Sequence, residues 1–227
     1  PDYGIYEKED WPKQDKGQAA MITRMDRDVG RILALLEKLD IAKKTLVIFT
    51  SDNGPHNEAG HNPERFSPAG PLRGMKRTLT EGGIRVPTLA WWPKTIKDGS
   101  LCRQPFYFAD LMSTACELAE VKKPKKTDGI SFLPTLMGKT SAQERHEYLY
   151  WEFYERTFRQ ALVQENWKLI RSGMNDDRIE LYDLELDIGE DRNLASKQPA
   201  LVRSLLAKME QAHLPHPNWP TPRTKKK

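Results

Sequence analysis

The sequence is poor in cysteine and has no long apolar segment. Its 227 residues include two cysteines, Cys102 and Cys116, which cannot form a disulfide framework or a cysteine-rich metal site. No apolar run approaches the roughly 20 residues that a membrane helix needs. The net charge is only +4, and no basic helix face is interleaved with aromatic residues. These absences predict no membrane span and no nucleic-acid binding.

The first half of the chain has the pattern of an α/β protein. Hydrophobic residues make up 38% of the chain and charged residues 30%, which suits a soluble globular domain. Apolar residues recur every three or four positions over residues 17–39, which predicts an amphipathic helix. Residues 46–49 follow as a short apolar run and are predicted to be a strand buried on both faces. This order predicts an α/β fold with a mostly parallel sheet and flanking helices.

The pattern changes after a connector over residues 121–145. Four short apolar segments separated by turn residues predict a small antiparallel sheet. A last helix is predicted over residues 199–212, followed by a tail rich in proline and lysine. We therefore expect two parts, residues 1–145 and residues 146–227. The four strand candidates are residues 148–151, 160–163, 167–171 and 180–183.

Residues 51–87 form a long segment with little periodicity, and such segments in compact domains are usually functional. Asp52 and Asn53 lie just beyond the predicted strand at 46–49, after Thr50 and Ser51, and ligands of open α/β sheets bind beyond the carboxyl ends of strands. A carboxylate and a carboxamide are hard oxygen donors suited to Ca²⁺ or Mg²⁺. An alternative interpretation is that Asp52, Asn53 and Gly54 only turn the chain.

A glycine-rich cluster follows, with Gly74 and Lys76 and then the segment Glu81–Pro87. Glycines allow a close approach of the backbone to a ligand, and Lys76 supplies a compact cation for an anionic oxygen. Together with Ser51–Gly54 and the Trp92–Pro93 pair, these motifs resemble the sulfatase family of the alkaline phosphatase-like superfamily in order and spacing. The resemblance continues to Leu181–Leu184 and covers nearly the whole chain.

The resemblance implies roles for particular residues. Asp52 and Asn53 correspond to two of the four protein ligands of a catalytic Ca²⁺. Lys76 corresponds to the catalytic lysine that holds a sulfate oxygen and steadies the leaving group. Arg73 and His56 are candidate substrate contacts. Glu81 and Arg85 are expected to form an ion pair that organises the glycine-rich turn. The implied activity is hydrolysis of sulfate esters, with sulfated sugars as a candidate substrate class.

The sequence also departs from the family pattern. Sulfatases produce a formylglycine nucleophile from a Cys/Ser-x-Pro-x-Arg motif, and neither Cys102 nor Cys116 lies in one. We therefore expect that the N-terminal half of the enzyme, with the nucleophile and the other Ca²⁺ ligands, is missing and that this chain alone is inactive. The resemblance implies a periplasmic or secreted location, although the residues Pro1–Gly4 show no signal-peptide pattern.

Two other functions remain open at this point. One is a phosphodiesterase or phosphonate hydrolase of the same superfamily, whose members bind two transition metals through several His and Asp ligands. The single Asp52–Asn53 pair followed by Lys76 fits a one-calcium pocket better. The other is a non-catalytic half-sulfatase that binds an anionic glycan. An upstream Cys/Ser-x-Pro-x-Arg motif would exclude this last function.

Overall fold

The computed structural model describes residues 2–155, 157–173 and 178–221. The described residues form two compact units that alternate along the chain. The first unit comes from the described residues of the ranges Pro1–Ser51, Asn57–Asn62 and Pro87–His146. The second comes from those of Asp52–His56, Pro63–Val86 and Glu147–Lys227. The lysine-rich tail predicted at residues 225–227 lies outside the described residues.

The secondary structure consists of helices, short 3₁₀ turns and strands. The α-helices are α1 (Lys13–Lys38), α2 (Pro63–Phe66), α3 (Glu81–Ile84), α4 (Ala109–Leu118), α5 (Leu133–Leu136) and α6 (Pro199–Ala212). The 3₁₀ turns are Gly4–Tyr6, Ala42–Lys44, Glu58–Gly60 and Thr140–Ala142. The strands are β1 (Val47–Thr50), β2 (Thr88–Trp91), β3 (Leu149–Phe153), β4 (Arg159–Gln164), β5 (Trp167–Ser172) and β6 (Arg178–Asp183). No helix among the described residues combines the length and apolar character that a membrane crossing requires.

The predicted long helix is present as α1 and begins four residues earlier than its apolar periodicity suggests. Asp15 in its first turn is fully buried, and its carboxylate accepts a hydrogen bond of 2.8 Å from the Asn62 amide. A negative charge in the first turn also favours the helix N-terminus. Much of the apolar face is exposed within the described structure, because Met21 is 66% and Ile32 is 56% exposed.

The first sheet differs from the prediction in strand direction and in burial. Strands β1 and β2 pair antiparallel, with Val47 opposite Trp91 and Thr50 opposite Thr88. Although the sequence predicts a mostly parallel sheet, the two strands that this part of the chain contributes pair antiparallel with each other. Parallel pairing needs a crossover, usually through a helix, whereas only the four-residue helices α2 and α3 lie between β1 and β2. Among the described residues, β1 and β2 pair with each other. All four residues of β1 are half-buried, whereas the prediction had both faces of this strand covered.

The second unit contains the predicted antiparallel sheet, in the order β3-β4-β5-β6. Its two faces carry separate apolar clusters because successive side chains of a strand point to opposite faces. On one face, Leu162, Leu169 and Leu181 pack with residues of α6. On the other, Ala161, Ile170 and Tyr182 pack against Leu79 from the glycine-rich segment. The antiparallel sheet and the last helix are thus confirmed, and the sheet supports the segment that contains Lys76.

Candidate active site

The predicted calcium ligands lie in a short segment that follows β1. Within the second unit, Asp52 is exposed and Asn53 is half-buried. The side-chain amide of Asn53 donates a hydrogen bond of 2.9 Å to the carbonyl of Gly54, which orients the side chain. Next to it, Gly54 is buried. The segment therefore presents a carboxylate near solvent and a fixed carboxamide beside a buried glycine.

Backbone hydrogen bonds join this segment to the glycine-rich one. The amide of Gly54 donates to the carbonyl of Gly83 over 3.0 Å, and the amide of Lys76 donates to the carbonyl of Pro55 over 2.8 Å. Residues 52–56 are thus tied at two points to the segment that contains Lys76. The structure therefore joins the backbone segment of Asp52 and Asn53 to that of Lys76, which lies more than twenty positions later in the sequence.

The close approach of these backbones depends on glycine. A Cβ atom at Gly54 would lie 1.8 Å from the carbonyl oxygen of Gly82, and one at Gly82 would lie 2.2 Å from that of Gly74. Real Cβ atoms essentially never approach closer than 3.0 Å. Gly74 itself has a φ of 81°, a conformation that residues with a side chain rarely adopt. The glycines of this motif are therefore required by backbone packing.

A buried ionic cluster connects the glycine-rich turn to strand β5. Lys168 on β5 is fully buried, and its ammonium lies 2.8 Å from Glu81 Oε1 and 3.0 Å from Glu190 Oε1. The other oxygen of Glu190 accepts a hydrogen bond of 2.8 Å from the backbone amide of Glu81. Arg85 pairs with Glu81 Oε2 at 2.8 Å, which confirms the predicted ion pair. The start of α3 is thereby fixed to the antiparallel sheet.

Arg73, a predicted substrate contact, is engaged by the protein itself. Its guanidinium donates a hydrogen bond of 2.8 Å to Glu180 Oε2 and lies 4.8 Å from the centre of the Tyr182 ring. Burial alone would lower the pKa of Arg73, but the hydrogen bond to Glu180 and the nearby negative charges raise it. Burial of Tyr182 and its hydrogen bond to Glu180 raise the tyrosine pKa to about 12. This geometry favours a positioning role for Arg73, and substrate contact stays a prediction.

His56 and a second histidine of the same loop, His61, belong to different units. His56 is half-buried in the segment 52–56, next to the predicted calcium ligands in sequence. His61 belongs to the first unit, where it is buried and its Nδ1 lies 2.8 Å from the carbonyl oxygen of Glu58. Its side chain is thus tied to its own loop. A substrate contact by His56 remains a prediction.

The donors present fit a calcium ion in chemistry but not in number. The carboxylate of Asp52 and the amide oxygen of Asn53 are the hard oxygen ligands that Ca²⁺ prefers, and the ion takes six to eight of them. Among the described residues, no group of three or more His, Cys, Asp or Glu side chains could hold a metal. Asp52 and Asn53 can therefore form only one side of a coordination shell.

Sequence reasoning missed Lys168 and Glu190. One signal was available for Lys168, because a lysine stands inside the apolar strand pattern of residues 167–170, and a lysine is almost never fully buried unless it is paired. Glu190 follows a loop rich in acidic residues and gives no such signal. Its partner Glu81 lies 109 positions away in sequence, so only the folded chain identifies the pair.

Two family models match the chain. The model described as "Sulfatase" matches residues 4–121, and the model described as "N-sulphoglucosamine sulphohydrolase, C-terminal" matches residues 75–214. Each covers more than half of the chain. The chain belongs to the sulfatase family and corresponds to its C-terminal portion.

Named relatives and solved structures agree with this assignment. The chain is 37% identical over 155 residues to steryl-sulfatase of Mus musculus, covering 65% of this chain and 24% of the relative. It is 30% identical over 213 residues to N-acetylgalactosamine-6-O-sulfatase of Bacteroides thetaiotaomicron, covering 84% of this chain and 40% of the relative. The crystal structure of Ps i-CgsB in complex with k-i-k-neocarrahexaose superposes with a TM-score of 0.76 at 28% identity, covering 90% of this chain and 44% of that one.

These matches confirm the predicted fold class, the C-terminal part of an alkaline phosphatase-like α/β fold with a small antiparallel sheet-and-helix part. The chain spans less than half the length of the relatives that it matches.

Proposed function

We propose that this chain forms the C-terminal part of a sulfuric ester hydrolase and supplies one side of its active site. The main support is the pair of backbone hydrogen bonds, from Gly54 to Gly83 and from Lys76 to Pro55, in a chain of the sulfatase family. These bonds place a carboxylate, a carboxamide and a lysine on adjoining segments. Such a combination suits a sulfate ester, because the carboxylate and the carboxamide would bind a cation, and that cation and the lysine would hold the negative charge of the ester while one S–O bond breaks.

Asp52 and Asn53 are proposed to hold Ca²⁺ together with ligands from outside this chain. A bound calcium ion would supply positive charge for the sulfate oxygens. Lys76 is proposed to donate to a sulfate oxygen and to the oxygen of the departing alcohol. Because charge grows on the departing oxygen as the bond breaks, a fixed ammonium stabilises the transition state more than the substrate. The nucleophile, a formylglycine, is proposed to lie outside this chain.

The proposed substrate is a sulfated carbohydrate. The support is the relative named for N-acetylgalactosamine-6-O-sulfate hydrolysis and the structure solved with neocarrahexaose. His56 lies in the same segment as the calcium ligands and is the candidate sugar contact on this side. A periplasmic or secreted location is proposed on the family resemblance alone.

The test uses the full-length protein that contains this chain, produced together with the enzyme that generates formylglycine. Hydrolysis of 4-nitrophenyl sulfate and of sulfated sugars is measured, with bis(4-nitrophenyl) phosphate as the competing substrate class. We expect sulfate-ester turnover that Lys76→Ala lowers by about 10²–10³-fold, and calcium binding by calorimetry that Asp52→Ala weakens. A preference for the phosphodiester would contradict the proposal, and so would calcium affinity that is unchanged in Asp52→Ala.

A further inference from the structure

The antiparallel sheet reaches the proposed active site through one buried side chain. Lys168 lies in the interior of β5, is 0% exposed and contacts two carboxylates that are themselves almost fully buried, Glu81 and Glu190. A lysine in this environment is held by its partners, because an unpaired buried ammonium is strongly disfavoured. We propose that Lys168, together with Glu190, is a positioning residue that sets the placement of Lys76 relative to Asp52 and Asn53. This inference rests on the proposed function of that site.

Lys168 belongs to a charge-balanced cluster beside the glycine-rich turn. Three carboxylates, Glu81, Glu180 and Glu190, face three cations. The cations are Arg73, Arg85 and Lys168. Lys168 is the fully buried cation of this set, and it bridges Glu81 and Glu190. Its removal would leave two neighbouring buried carboxylates without the cation between them, so they would repel each other.

The ionic cluster is linked to the backbone of the proposed site through Glu81. Glu81 begins α3, and its amide is fixed by Glu190. The next residue, Gly82, donates from its amide to the carbonyl of Arg73 over 2.8 Å, and the carbonyl of Gly83 accepts from Gly54. A displacement of Glu81 therefore moves the backbone on which both proposed site segments rest.

The rate of the proposed reaction is expected to be sensitive to small displacements of this backbone. The backbone around these glycines is packed too closely to admit even one more carbon atom, since a Cβ at Gly83 would lie 2.2 Å from the carbonyl oxygen of Thr78. A misplacement of about 1 Å far from the chemistry can lower a rate by about 10²-fold, and functional residues depend on such supporting contacts. Lys168 is thus placed to influence turnover without touching the substrate.

The same strand offers a matched control. Arg171 is also a buried cation of β5, with a side chain that is 2% exposed. It lies on the opposite face, where it pairs with Glu210 of α6 at 2.6 Å and donates to Gln160 over 2.9 Å. Arg171→Met and Lys168→Met both remove a buried charge from β5. Among the contacts described for these two side chains, those of Lys168 include the tie to the glycine-rich turn, whereas those of Arg171 lie on the other face of the sheet.

The experiment uses hydrogen–deuterium exchange of the full-length protein, read peptide by peptide. In Lys168→Met we expect at least tenfold faster amide exchange in residues 52–56 and 73–84, with α6 unchanged. In Arg171→Met we expect faster exchange in α6 and unchanged exchange in those two segments. Unchanged exchange of both site segments in Lys168→Met would overturn the proposal. Equal acceleration by both variants would do so as well.

Kinetics supply the second readout, at a temperature where both variants are folded. We expect Lys168→Met to lower kcat by about 10–100-fold with KM within about threefold, because Lys76 acts on charge that develops during reaction. Arg171→Met should keep kcat within about twofold. If Lys168→Met does not fold, the double variant Lys168→Met/Glu190→Gln removes one charge of each sign and takes its place. If the wild-type enzyme hydrolysed no sulfate ester, the proposed function would fail, whereas the exchange comparison would still accept or reject the link through Lys168.

Discussion

Gly54 gives the most direct test of how the two site segments fit together. The change is Gly54→Ala, which adds one methyl group beside the proposed calcium ligands. Its Cβ would lie 1.8 Å from the carbonyl oxygen of Gly82 and 3.0 Å from the Cα of Gly83. Both neighbours are backbone, so no flexible side chain can move aside. To reach the shortest observed Cβ separation of 3.0 Å, the segments must part by about 1.2 Å, a distance that follows from these two values.

The consequences can be estimated from this displacement. The hydrogen bond from Gly54 to Gly83, now 3.0 Å, would lengthen to about 4 Å, which is beyond hydrogen-bonding range. Losing that bond costs about 1 kcal/mol, and overpacking adds about 1–3 kcal/mol. Asn53, the neighbouring residue, would move with the backbone. A shift of this size relative to Lys76 is expected to lower kcat by up to about 10²-fold.

The assay combines urea denaturation with steady-state kinetics on the full-length protein. The matched control is Gly30→Ala, because Gly30 lies within α1 and a Cβ there would meet nothing within 4 Å. Alanine is favoured over glycine in a helix by up to about 1 kcal/mol, so this control should keep or raise stability and leave kcat unchanged. The reasoning is refuted if Gly54→Ala keeps both the free energy of unfolding and kcat within error of the wild type.

Three further predictions follow from other parts of the structure. Lys76→Ala should lower kcat by about 10²–10³-fold. Lys76→Arg should lower it as well, since a planar guanidinium does not replace a point charge. Arg77→Ala is the control, and equal effects of Lys76→Ala and Arg77→Ala on kcat would contradict the proposed role of Lys76. This chain alone should hydrolyse no aryl sulfate and bind Ca²⁺ more weakly than micromolar. The reason is that Asp52 and Asn53 are the ligands proposed among its described residues, whereas Ca²⁺ takes six to eight oxygen ligands. Micromolar affinity by calorimetry would argue against this. Glu152 should make stability depend on acid pH. Its burial would raise its pKa, but hydrogen bonds from two tyrosines and His213 outweigh this and lower it below 4.5. The contribution of Glu152 is then present above pH 4.5 and lost as pH falls through the lower folded value, so thermal melting from pH 7 to 3 should show a smaller acid loss in Glu152→Gln, and equal losses would exclude the effect.

Local sequence patterns determined much of the fold. The four strands of the second sheet and helix α6 follow from short apolar runs, turn residues and helical spacing, all of which act within a few neighbouring residues. The order of the motifs around Asp52, Lys76 and Glu81 was enough to indicate the family. The ion pair between Glu81 and Arg85 was also predictable, because it spans a single helical turn.

The tertiary structure alone decided what depends on distant residues. The direction in which β2 pairs with β1 depends on the path of the 37 residues of loop and short helix between Thr50 and Thr88. Local periodicity predicts a strand but not the direction in which it pairs. Lys168 and Glu81 are 87 positions apart, so their contact exists only after the sheet has formed. The need for glycine at position 54 likewise arises from a backbone almost thirty residues away, because a Cβ atom is excluded there by packing and not by its own φ and ψ.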